Sequence, residues 1–330
     1  MEEIRFAVIG CGLMGGRHAE TLTRTPGMRC VALHDQNTIA AEALGQKLRI
    51  ETIDNYDALL ARKEIDGVVI CLPSFLHAHY GISAARAGKH VICEKPIDIR
   101  IDRAEELIEA CERQGVLLTV ISQNRFTEGA MALKRAVDGD MLGKLLLANA
   151  SIKCYHDDAY YAGSDWRGRF GGEGGGVFMS QGIHYTDLLL WFLGETAEAH
   201  SLLMTSRSII ETEDVGAILL RSESGAIATI TATTSAYPGF PERIELHGKT
   251  GSAVLEQGRI VYWKQMGGTE PPAVAFEPPT PEDLDARLIP FQRQYRDFLA
   301  ALETGGRPLV TPRQALSVVK TILNAYANRF

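Results

Sequence analysis

The stretch Gly10-Cys11-Gly12-Leu13-Met14-Gly15 joins a short apolar run to a helical pattern, and this junction indicates the fold of the amino-terminal half. The run over 4–9 reads as a buried strand, and residues 15–25 have helical periodicity. In this position a G-x-G-x-x-G segment turns tightly at its first glycine, admits a pyrophosphate at its second and packs the helix on the strand at its third. The N-terminus of the helix adds N–H groups and a positive dipole end. We therefore expect a dinucleotide to be bound by Gly10, Gly12, Leu13, Met14 and Gly15.

An acidic residue follows this loop at the distance that a dinucleotide site requires. Asp35 ends the second predicted strand, over 29–34, and lies 20 residues beyond Gly15. A carboxylate there accepts hydrogen bonds from the adenosine ribose, and it would repel a 2′-phosphate. The next residue, Gln36, supplies no positive charge to offset that repulsion. The sequence thus predicts NAD rather than NADP, with Asp35 and Gln36 at the ribose.

Around the glycine loop, strands alternate with helices. The predicted strands are 4–9, 29–34, 68–72, 90–93 and 116–121, and the predicted helices are 15–25, 39–48, 56–62, 76–87 and 101–114. Strands that are rich in Val and Ile without alternation are buried on both faces, and strands that are joined by helices run parallel. This pattern predicts an α/β domain over 1–124 with the doubly wound parallel sheet of a Rossmann fold.

The pattern changes after residue 124, where a second domain is predicted over 125–330. Helices are expected over 127–137, 177–192, 288–302 and 313–327, and strands over 145–155, 200–209, 215–221, 226–235, 243–247, 252–256 and 259–263. A Gly-rich loop precedes residue 177, and a loop rich in Pro, Gly and Glu covers 267–281. Strands at this spacing with short turns between them indicate an α+β domain with a mainly antiparallel, open sheet.

Composition excludes several classes of function. The 330 residues contain 34 basic and 41 acidic side chains, a formal charge of −7, so no basic surplus exists to bind nucleic acid or an anionic membrane. No window resembles a membrane span. The acidic start differs from a signal peptide, and the six cysteines form no C-x-x-C pair. We expect a cytoplasmic protein with reduced thiols and no metal site.

Two further segments carry a family resemblance. They are Cys71-Leu72-Pro73-Ser74-Phe75-Leu76-His77 and Gly88-Lys89-His90-Val91-Ile92-Cys93-Glu94-Lys95-Pro96. Here the chain resembles the Gfo/Idh/MocA family of sugar and cyclitol oxidoreductases, and the resemblance extends over the whole chain. It implies that Lys95 is catalytic and contacts both cofactor and substrate. It also implies that the cofactor is bound by Leu72, Pro73, His77, Glu94 and Gln123.

The position of Lys95 agrees with that implied role. Lys95 follows the carboxyl end of a predicted parallel strand, where open α/β sheets bind their ligands. An ammonium group there can polarise a substrate oxygen and stabilise a developing alkoxide during hydride transfer. Family members commonly have a cis peptide bond before the proline, and Pro96 permits one here.

The segment from Gly174 to Asp187 is similar to the family's G-G-G-x-x-x-D-x-G-x-H-x-x-D element. The resemblance makes His184 the residue that takes or gives the hydroxyl proton. Ser180 and His184 are four residues apart and would share one face of the predicted helix, so both are expected to bind substrate. Ser180 stands where many members have Asp, and it cannot raise the basicity of the imidazole by its charge. Either Lys95 carries more of the acid–base work or the substrate differs.

An aromatic loop lies between these elements. Its Tyr-Tyr…Trp-Arg-Gly string, over 160–168, resembles one subset of the family. Tyr155, Tyr161 and Arg167 are expected to bind substrate, and Trp166 and Arg167 the cofactor, because aromatic rings stack on flat groups and guanidinium binds anions. The alternative is a packed surface loop or a subunit contact.

The predicted function is an NAD-dependent dehydrogenase or reductase that acts on a secondary hydroxyl or ketone of a sugar, sugar acid, nucleotide sugar or cyclitol. Two alternatives stay open at this point. One is an NAD-dependent, redox-assisted glycoside hydrolase, and the other is a non-catalytic NAD-binding regulator. Family members commonly cover the open sheet with a second subunit, so a homodimer or homotetramer is expected, with 215–220 and 227–230 forming part of the contact.

Overall fold

The computed structural model describes residues 3–281 and 284–330; the first two residues of the acidic start lie outside this range. The chain divides into two compact units. One contains the residues up to Gln123 together with Glu277–Leu316, and the other contains Asn124–Phe276 and Ser317–Phe330. This division differs from the predicted contiguous domains, 1–124 and 125–330, because 277–316 returns to the first unit.

The first unit contains a parallel sheet flanked by helices. Its elements to residue 123 are β1 (Ile4–Ile9), α1 (Leu13–Thr23), β2 (Met28–His34), α2 (Thr38–Leu48), β3 (Glu51–Thr52), α3 (Tyr56–Leu60), β4 (Gly67–Ile70), α4 (His77–Arg86), β5 (His90–Cys93), α5 (Ile101–Gln114) and β6 (Leu118–Val120). The strand order is β3-β2-β1-β4-β5-β6, and every pairing is parallel. This confirms the doubly wound sheet. The sequence pattern missed β3, which is only two residues long.

The second unit is built on a larger sheet. Its elements to residue 276 are α6 (Glu128–Asp138), β7 (Leu145–Tyr155), α7 (Asp158–Ala162), α8 (Phe170–Glu173), α9 (Val177–Ser180), α10 (Ile183–Leu193), β8 (Thr196–Met204), β9 (Val215–Ser222), β10 (Ile227–Thr233), β11 (Ser235–Gly248), β12 (Gly251–Glu256) and β13 (Arg259–Gln265). The order is β13-β12-β11-β7-β10-β9-β8. All neighbours are antiparallel except β7 and β10, which confirms the mainly antiparallel sheet.

Three local predictions for the second unit were wrong. The helix expected over 177–192 is two helices, because the Gly182 N–H donates to the Val177 carbonyl, five residues back, at 2.7 Å and the helix restarts at Ile183. The Gly-rich loop contains the short helices α7 and α8. The strand expected over 200–209 ends at Met204, and the chain then turns towards Asp214.

Two helices end the chain, α11 (Ile289–Thr304) and α12 (Pro312–Ala327). Phe291, Tyr295 and Phe298 of α11 are buried in the core of the first unit beside β1. The Phe298 ring meets the Phe6 ring edge to face at 6.2 Å. This aromatic packing is the physical reason that 277–316 belongs to the first unit. Residues of α12 from Ser317 onward belong to the second unit.

Within the described ranges, no helix combines the length and apolarity needed to cross a bilayer. The six cysteines are free thiols, four of them buried. Nor do the described residues bring together three His, Cys, Asp or Glu side chains that could hold a metal ion. The cytoplasmic location stays a prediction from the sequence.

Candidate active site

Close packing requires glycine at two positions of the loop between β1 and α1. Gly10 has φ +98°, and a Cβ atom there would lie 2.6 Å from the Cys71 carbonyl oxygen. A Cβ atom on Gly15 would lie 1.8 Å from the Gly10 carbonyl oxygen. Gly12 is different, because among the described residues no atom lies within 4 Å of a Cβ added there and no side chain caps α1 at this residue. The loop thus leaves open space beside an uncapped helix N-terminus, which suits a phosphate.

Asp35 joins the end of β2 to this loop. Its Oδ2 accepts a hydrogen bond from the Cys11 N–H at 2.7 Å, and its Oδ1 accepts one from the Asn37 N–H at 2.8 Å. Burial and the nearby Asp35 charge raise the pKa of the Cys11 thiol to about 12. Gln36 donates from Nε2 to the Tyr80 hydroxyl at 3.1 Å. The carboxylate is therefore fixed beside the glycine loop, at the predicted ribose position.

His77 holds two loops of the first unit together. Its Nδ1 lies 2.6 Å from the Pro96 carbonyl oxygen and its Nε2 lies 2.8 Å from the Leu72 carbonyl oxygen. The ring is 1 % exposed. Pro73 follows Leu72 and precedes a single 3-10 turn. Because both ring nitrogens face backbone oxygens, His77 connects the predicted cofactor loop to the Lys95–Pro96 turn.

Lys95 lies just beyond the end of β5, and its peptide bond to Pro96 is cis. Its backbone N–H donates to Glu94 Oε2 at 3.0 Å. Glu94 is buried, and its Oε1 lies 2.8 Å from Nε2 of His18 on α1. The sequence motif thus places Lys95 at the predicted edge of the sheet, with its backbone fixed by the side chain before it.

The first half of the G-K-H-V-x-x-E-K-P element has a structural role. Lys89 is buried, and its Nζ donates to the carbonyl oxygens of Arg62 and Ile65, both at 2.8 Å. His90 Nδ1 accepts the Leu117 N–H at 3.0 Å, and burial lowers the pKa of this imidazole. These contacts anchor β5 to its neighbours, so only the end of the element carries candidate chemistry.

Gln123 follows β6 in the first unit. Its Oε1 is buried and accepts no hydrogen bond from any group in the part of the chain that the structure describes. A buried acceptor of this kind costs free energy unless a ligand or water satisfies it. Gln123 therefore fits the predicted role in cofactor binding.

In the second unit, the Gly174-Gly175-Gly176 entry is packed tightly. A Cβ atom on Gly175 would lie 2.4 Å from the Tyr326 hydroxyl, and one on Gly176 would lie 1.7 Å from the Glu213 carbonyl oxygen. The buried Glu213 carboxylate accepts from the Gly176 and Phe178 N–H groups and from the Tyr326 hydroxyl, at 2.9, 3.2 and 2.6 Å. Burial raises the pKa of Glu213. Sequence reasoning missed Glu213, because nothing in its local context marks a contact 37 residues away.

Ser180 and His184 lie on either side of the helix break. The Ser180 hydroxyl donates to the Gly176 carbonyl oxygen at 2.9 Å, and His184 is half-buried in the first turn of α10. The sequence argument placed them on one face of a continuous helix, and that helix is interrupted at Gly182. Their shared role as substrate ligands therefore stays a prediction without that support.

Asp187, the last residue of the predicted element, pairs with Arg125. Its Oδ2 accepts from Arg125 Nε at 2.8 Å and its Oδ1 from Arg125 Nη2 at 2.7 Å. Both side chains are buried, and the guanidinium lies 5.2 Å from the centre of the Trp191 ring. This bidentate pair fixes the first turn of α10, which carries His184. Sequence reasoning could not assign Asp187 a partner, because Arg125 lies 62 positions away in the chain.

The aromatic loop is held by ring contacts. The Arg167 guanidinium lies 4.6 Å from the Tyr160 ring centre and 5.2 Å from that of Trp166. The Tyr161 hydroxyl is bonded to Thr234 Oγ1 at 2.8 Å, and its ring is buried. Tyr155 is 42 % exposed. The structure therefore clusters Trp166 and Arg167, whereas the Tyr161 hydroxyl is already engaged.

A cavity of about 250 Å³ in the second unit lies against α10. Burial, followed by the Glu242 charge, raises the pKa of the Tyr185 hydroxyl. The cavity is lined by both polar and apolar residues: Asn124, Thr127, Tyr185, Leu188, Glu242, Leu255, Gln257 and Gly258. Tyr185 and Leu188 bring α10, the helix that also carries His184, to the wall of this cavity.

Comparison with known proteins identifies relatives of both units. Residues 4–122 match the family described as "Oxidoreductase family, NAD-binding Rossmann fold", and residues 130–254 match "GFO/IDH/MocA C-terminal domain". The chain is 29 % identical over 310 residues to inositol 2-dehydrogenase of Rhizobium meliloti (strain 1021), covering 92 % of this chain and 89 % of that protein. It is 26 % identical to D-apiose dehydrogenase of Paraburkholderia graminis, covering 99 % and 88 %. The crystal structure of the WlbA dehydrogenase of Bordetella pertussis with NADH and UDP-GlcNAcA superposes with a TM-score of 0.86 at 28 % identity, covering 98 % and 95 %.

Proposed function

Because the chain belongs to the Gfo/Idh/MocA family of oxidoreductases, we propose that it oxidises a secondary hydroxyl of a sugar, sugar acid, nucleotide sugar or cyclitol with NAD, or reduces the corresponding ketone. It is an NAD-binding oxidoreductase of the sugar and cyclitol type. The inositol, apiose and nucleotide-sugar dehydrogenases that it resembles support this substrate range. The observation that carries the proposal is Lys95 at the end of β5, in the unit that holds the glycine loop.

The residues present fit NAD. Gly12 leaves open space at the start of α1, Asp35 provides a carboxylate beside it, and Gln123 offers a buried acceptor. Together these would hold the diphosphate, the adenosine ribose and a hydrogen-bond donor of the cofactor. When bound, NAD supplies the hydride acceptor of the reaction. We expect NADP to bind more weakly, because its 2′-phosphate would meet the Asp35 charge.

Lys95 is the proposed electrophilic group. Its ammonium would bind the reacting oxygen of the substrate and stabilise the negative charge that grows on it as the carbon loses hydride. Glu94 supports this role, because its carboxylate holds the Lys95 backbone N–H at 3.0 Å. A positive charge at this oxygen is needed in both directions of the reaction.

His184 is the proposed proton acceptor. The imidazole would take the hydroxyl proton during oxidation and return it during reduction, which suits its intrinsic pKa near neutrality. Asp187 and Arg125 support the position of His184 by fixing the first turn of α10. Ser180 would contribute only a hydrogen bond, so the imidazole has no carboxylate at that position.

The loop residues are proposed to complete the site. Trp166 and Arg167 would contact the cofactor, and Arg167 and the exposed ring of Tyr155 would contact the substrate. Tyr161 would act by supporting the loop, since its hydroxyl is bonded to Thr234.

A homodimer or homotetramer is also proposed. One face of the second sheet exposes Leu202, Leu219, Ile227 and Leu147, and Ile227 pairs directly with Leu147. Ile218, within the predicted contact segment 215–220, points to the buried face instead. Covering exposed apolar side chains with a second copy would stabilise the assembly. Sedimentation as a monomer at micromolar concentration would exclude this proposal.

The deciding experiment measures NADH formation against a panel of inositols, free hexoses, sugar acids and UDP-sugars. Wild type is compared with Lys95→Ala and with Lys249→Ala, a control at an exposed turn lysine. We expect turnover with NAD that falls by about 10²–10³-fold in Lys95→Ala and stays unchanged in the control. Release of an aryl alcohol from an aryl glycoside without net NADH would support the hydrolase instead. Tight NADH binding with turnover of neither substrate class would support the regulator.

A further inference from the structure

Three buried polar side chains form a chain of hydrogen bonds inside the first unit. Tyr295 on α11 lies with its hydroxyl 2.5 Å from His18 Nδ1, and His18 Nε2 lies 2.8 Å from Glu94 Oε1. Glu94 Oε2 accepts the Lys95 backbone N–H at 3.0 Å. The exposed fractions of Tyr295, His18 and Glu94 are 0, 0 and 6 %. No step of the proposed reaction uses Tyr295 or His18.

The donors and acceptors in this chain match one another. Assigning the ring proton of His18 to Nε2 lets that nitrogen donate to Glu94 Oε1 and lets Nδ1 accept the Tyr295 O–H. Burial raises the pKa of Tyr295 well above its usual range, so the phenol keeps the proton that it donates. The edge of the His18 ring packs against Phe291 at 5.3 Å. The imidazole therefore has one orientation, and it orients the Glu94 carboxylate in turn.

Two members of this hydrogen-bond chain, His18 and Glu94, lie beside the two functional parts of the unit. His18 lies on α1, three residues after Gly15, and the N-terminus of α1 is the candidate phosphate site. Glu94 lies directly before Lys95. A rigid connection between α1 and Glu94 would fix the position of Lys95 relative to the bound cofactor. Small displacements of a catalytic group lower reaction rates strongly.

We propose that His18 and Tyr295 are positioning residues, which act through Glu94 to hold Lys95 in register with the cofactor-binding helix. The proposal rests on the proposed function only in that Lys95 is taken as the catalytic group. It assigns a mechanistic role to a residue of α11, a helix that lies some 200 positions away in sequence from Lys95. Neither residue touches substrate or the reacting atoms in this proposal.

The test removes one hydroxyl and leaves the ring in place. Tyr295→Phe is compared with Thr119→Val, which removes another fully buried hydroxyl of the same unit, the donor to the Val310 carbonyl oxygen at 2.9 Å. We expect Tyr295→Phe to lower kcat by about 10-fold to 100-fold, with the Kd for NADH within about twofold of wild type. Thr119→Val is expected to leave both unchanged, although it also loses a buried hydrogen bond. Equal kcat values in the two variants, or an effect on NADH binding alone, would overturn the proposal.

A second readout does not depend on turnover. Reductive methylation with carbon-13 formaldehyde labels the lysine amines with methyl groups that are observed by NMR. The Lys95 resonance is identified by its absence from the spectrum of Lys95→Arg. We expect this signal to shift in Tyr295→Phe and to stay in place in Thr119→Val. If no substrate is oxidised but the shift appears, the proposed function fails and the positioning role stands. If a substrate is oxidised and the Lys95 signal is the same in both variants, the positioning role fails alone.

Discussion

The buried pair of Arg125 and Asp187 allows a quantitative test of how the second unit is held. Asp187 lies on α10 three residues after His184, and Arg125 lies just before α6. The perturbation is Asp187→Leu, which removes both hydrogen bonds and leaves the guanidinium buried with a 1 % exposed side chain. The double variant Arg125→Met/Asp187→Leu also removes the guanidinium charge and is expected to restore stability.

The expected magnitude follows from the burial of both partners. Removing one partner of a buried pair costs about 3–5 kcal/mol, because the remaining charge has lost its counter-ion, while an apolar replacement of both is often neutral. At about 2–4 °C per kcal/mol for a unit of this size, the single variant should unfold roughly 6–20 °C below wild type. The double variant should recover most of that difference, less the contact of Arg125 with Trp191.

The assay is thermal and urea unfolding of the full chain, followed by circular dichroism. The control is Glu109→Gln, which breaks an exposed pair with Arg113 on α5 and should change stability by less than about 1 kcal/mol. If the double variant is as unstable as Asp187→Leu, the cost comes from lost packing or lost hydrogen bonds. The reasoning from an uncompensated buried charge would then be refuted.

Predictions for four further variants concern the first unit. Gly12→Ala should keep the unfolding temperature of wild type but raise the Kd for NADH by at least about tenfold, because the space at Gly12 is open to a ligand. Gly15→Ala should lose about 1–3 kcal/mol or more of stability, since its Cβ would lie 1.8 Å from a carbonyl oxygen; equal effects of the two variants on stability would contradict this distinction. His90→Asn tests a pH dependence: burial lowers the pKa of His90, so the stability from its acceptor bond to Leu117 is present above about pH 6.5 and is lost as the pH falls. The stability difference between wild type and His90→Asn should therefore shrink between about pH 7 and 5, and a constant difference in urea unfolding would contradict it. Asp35→Asn should raise the use of NADP relative to NAD, measured as the ratio of kcat/KM values, and an unchanged ratio would show that the Asp35 charge does not discriminate.

Local sequence patterns predict the first unit well, because its signals lie within short windows. The strand that ends just before Gly10, the carboxylate at Asp35 and the lysine after β5 each follow from residues that are adjacent in the chain. Parallel strands then align these ends at one edge of the sheet without any knowledge of long-range contacts. The family match over residues 4–122 covers the same segments.

Long-range contacts explain what the sequence could not predict. Arg125 and Asp187 are 62 positions apart, and Glu213 reaches back to Gly176 over 37 positions. The return of α11 to the first unit depends on the burial of Tyr295 and its aromatic neighbours in the core of that unit. Helical periodicity predicts that α11 has an apolar face, but it does not predict which core this face packs against. The break at Gly182 likewise depends on a hydrogen bond from its N–H to the carbonyl oxygen of Val177, five residues back, which periodicity does not predict.

The hydrogen bonding of each motif residue shows whether it builds the site or is available to a ligand. Lys89, His90 and His77 place their nitrogens on backbone groups of their own unit, so their polar capacity is used in folding. Gly12 and Gln123 are instead available to a ligand. Gly12 leaves open space, and the buried Oε1 of Gln123 has no hydrogen-bond partner among the described residues. A buried acceptor that folding leaves unpaired is stabilised when a ligand or a water molecule donates to it. By this criterion His77 supports the cofactor loop from within, and Gln123 is the residue whose substitution by Leu should weaken NADH binding without lowering stability.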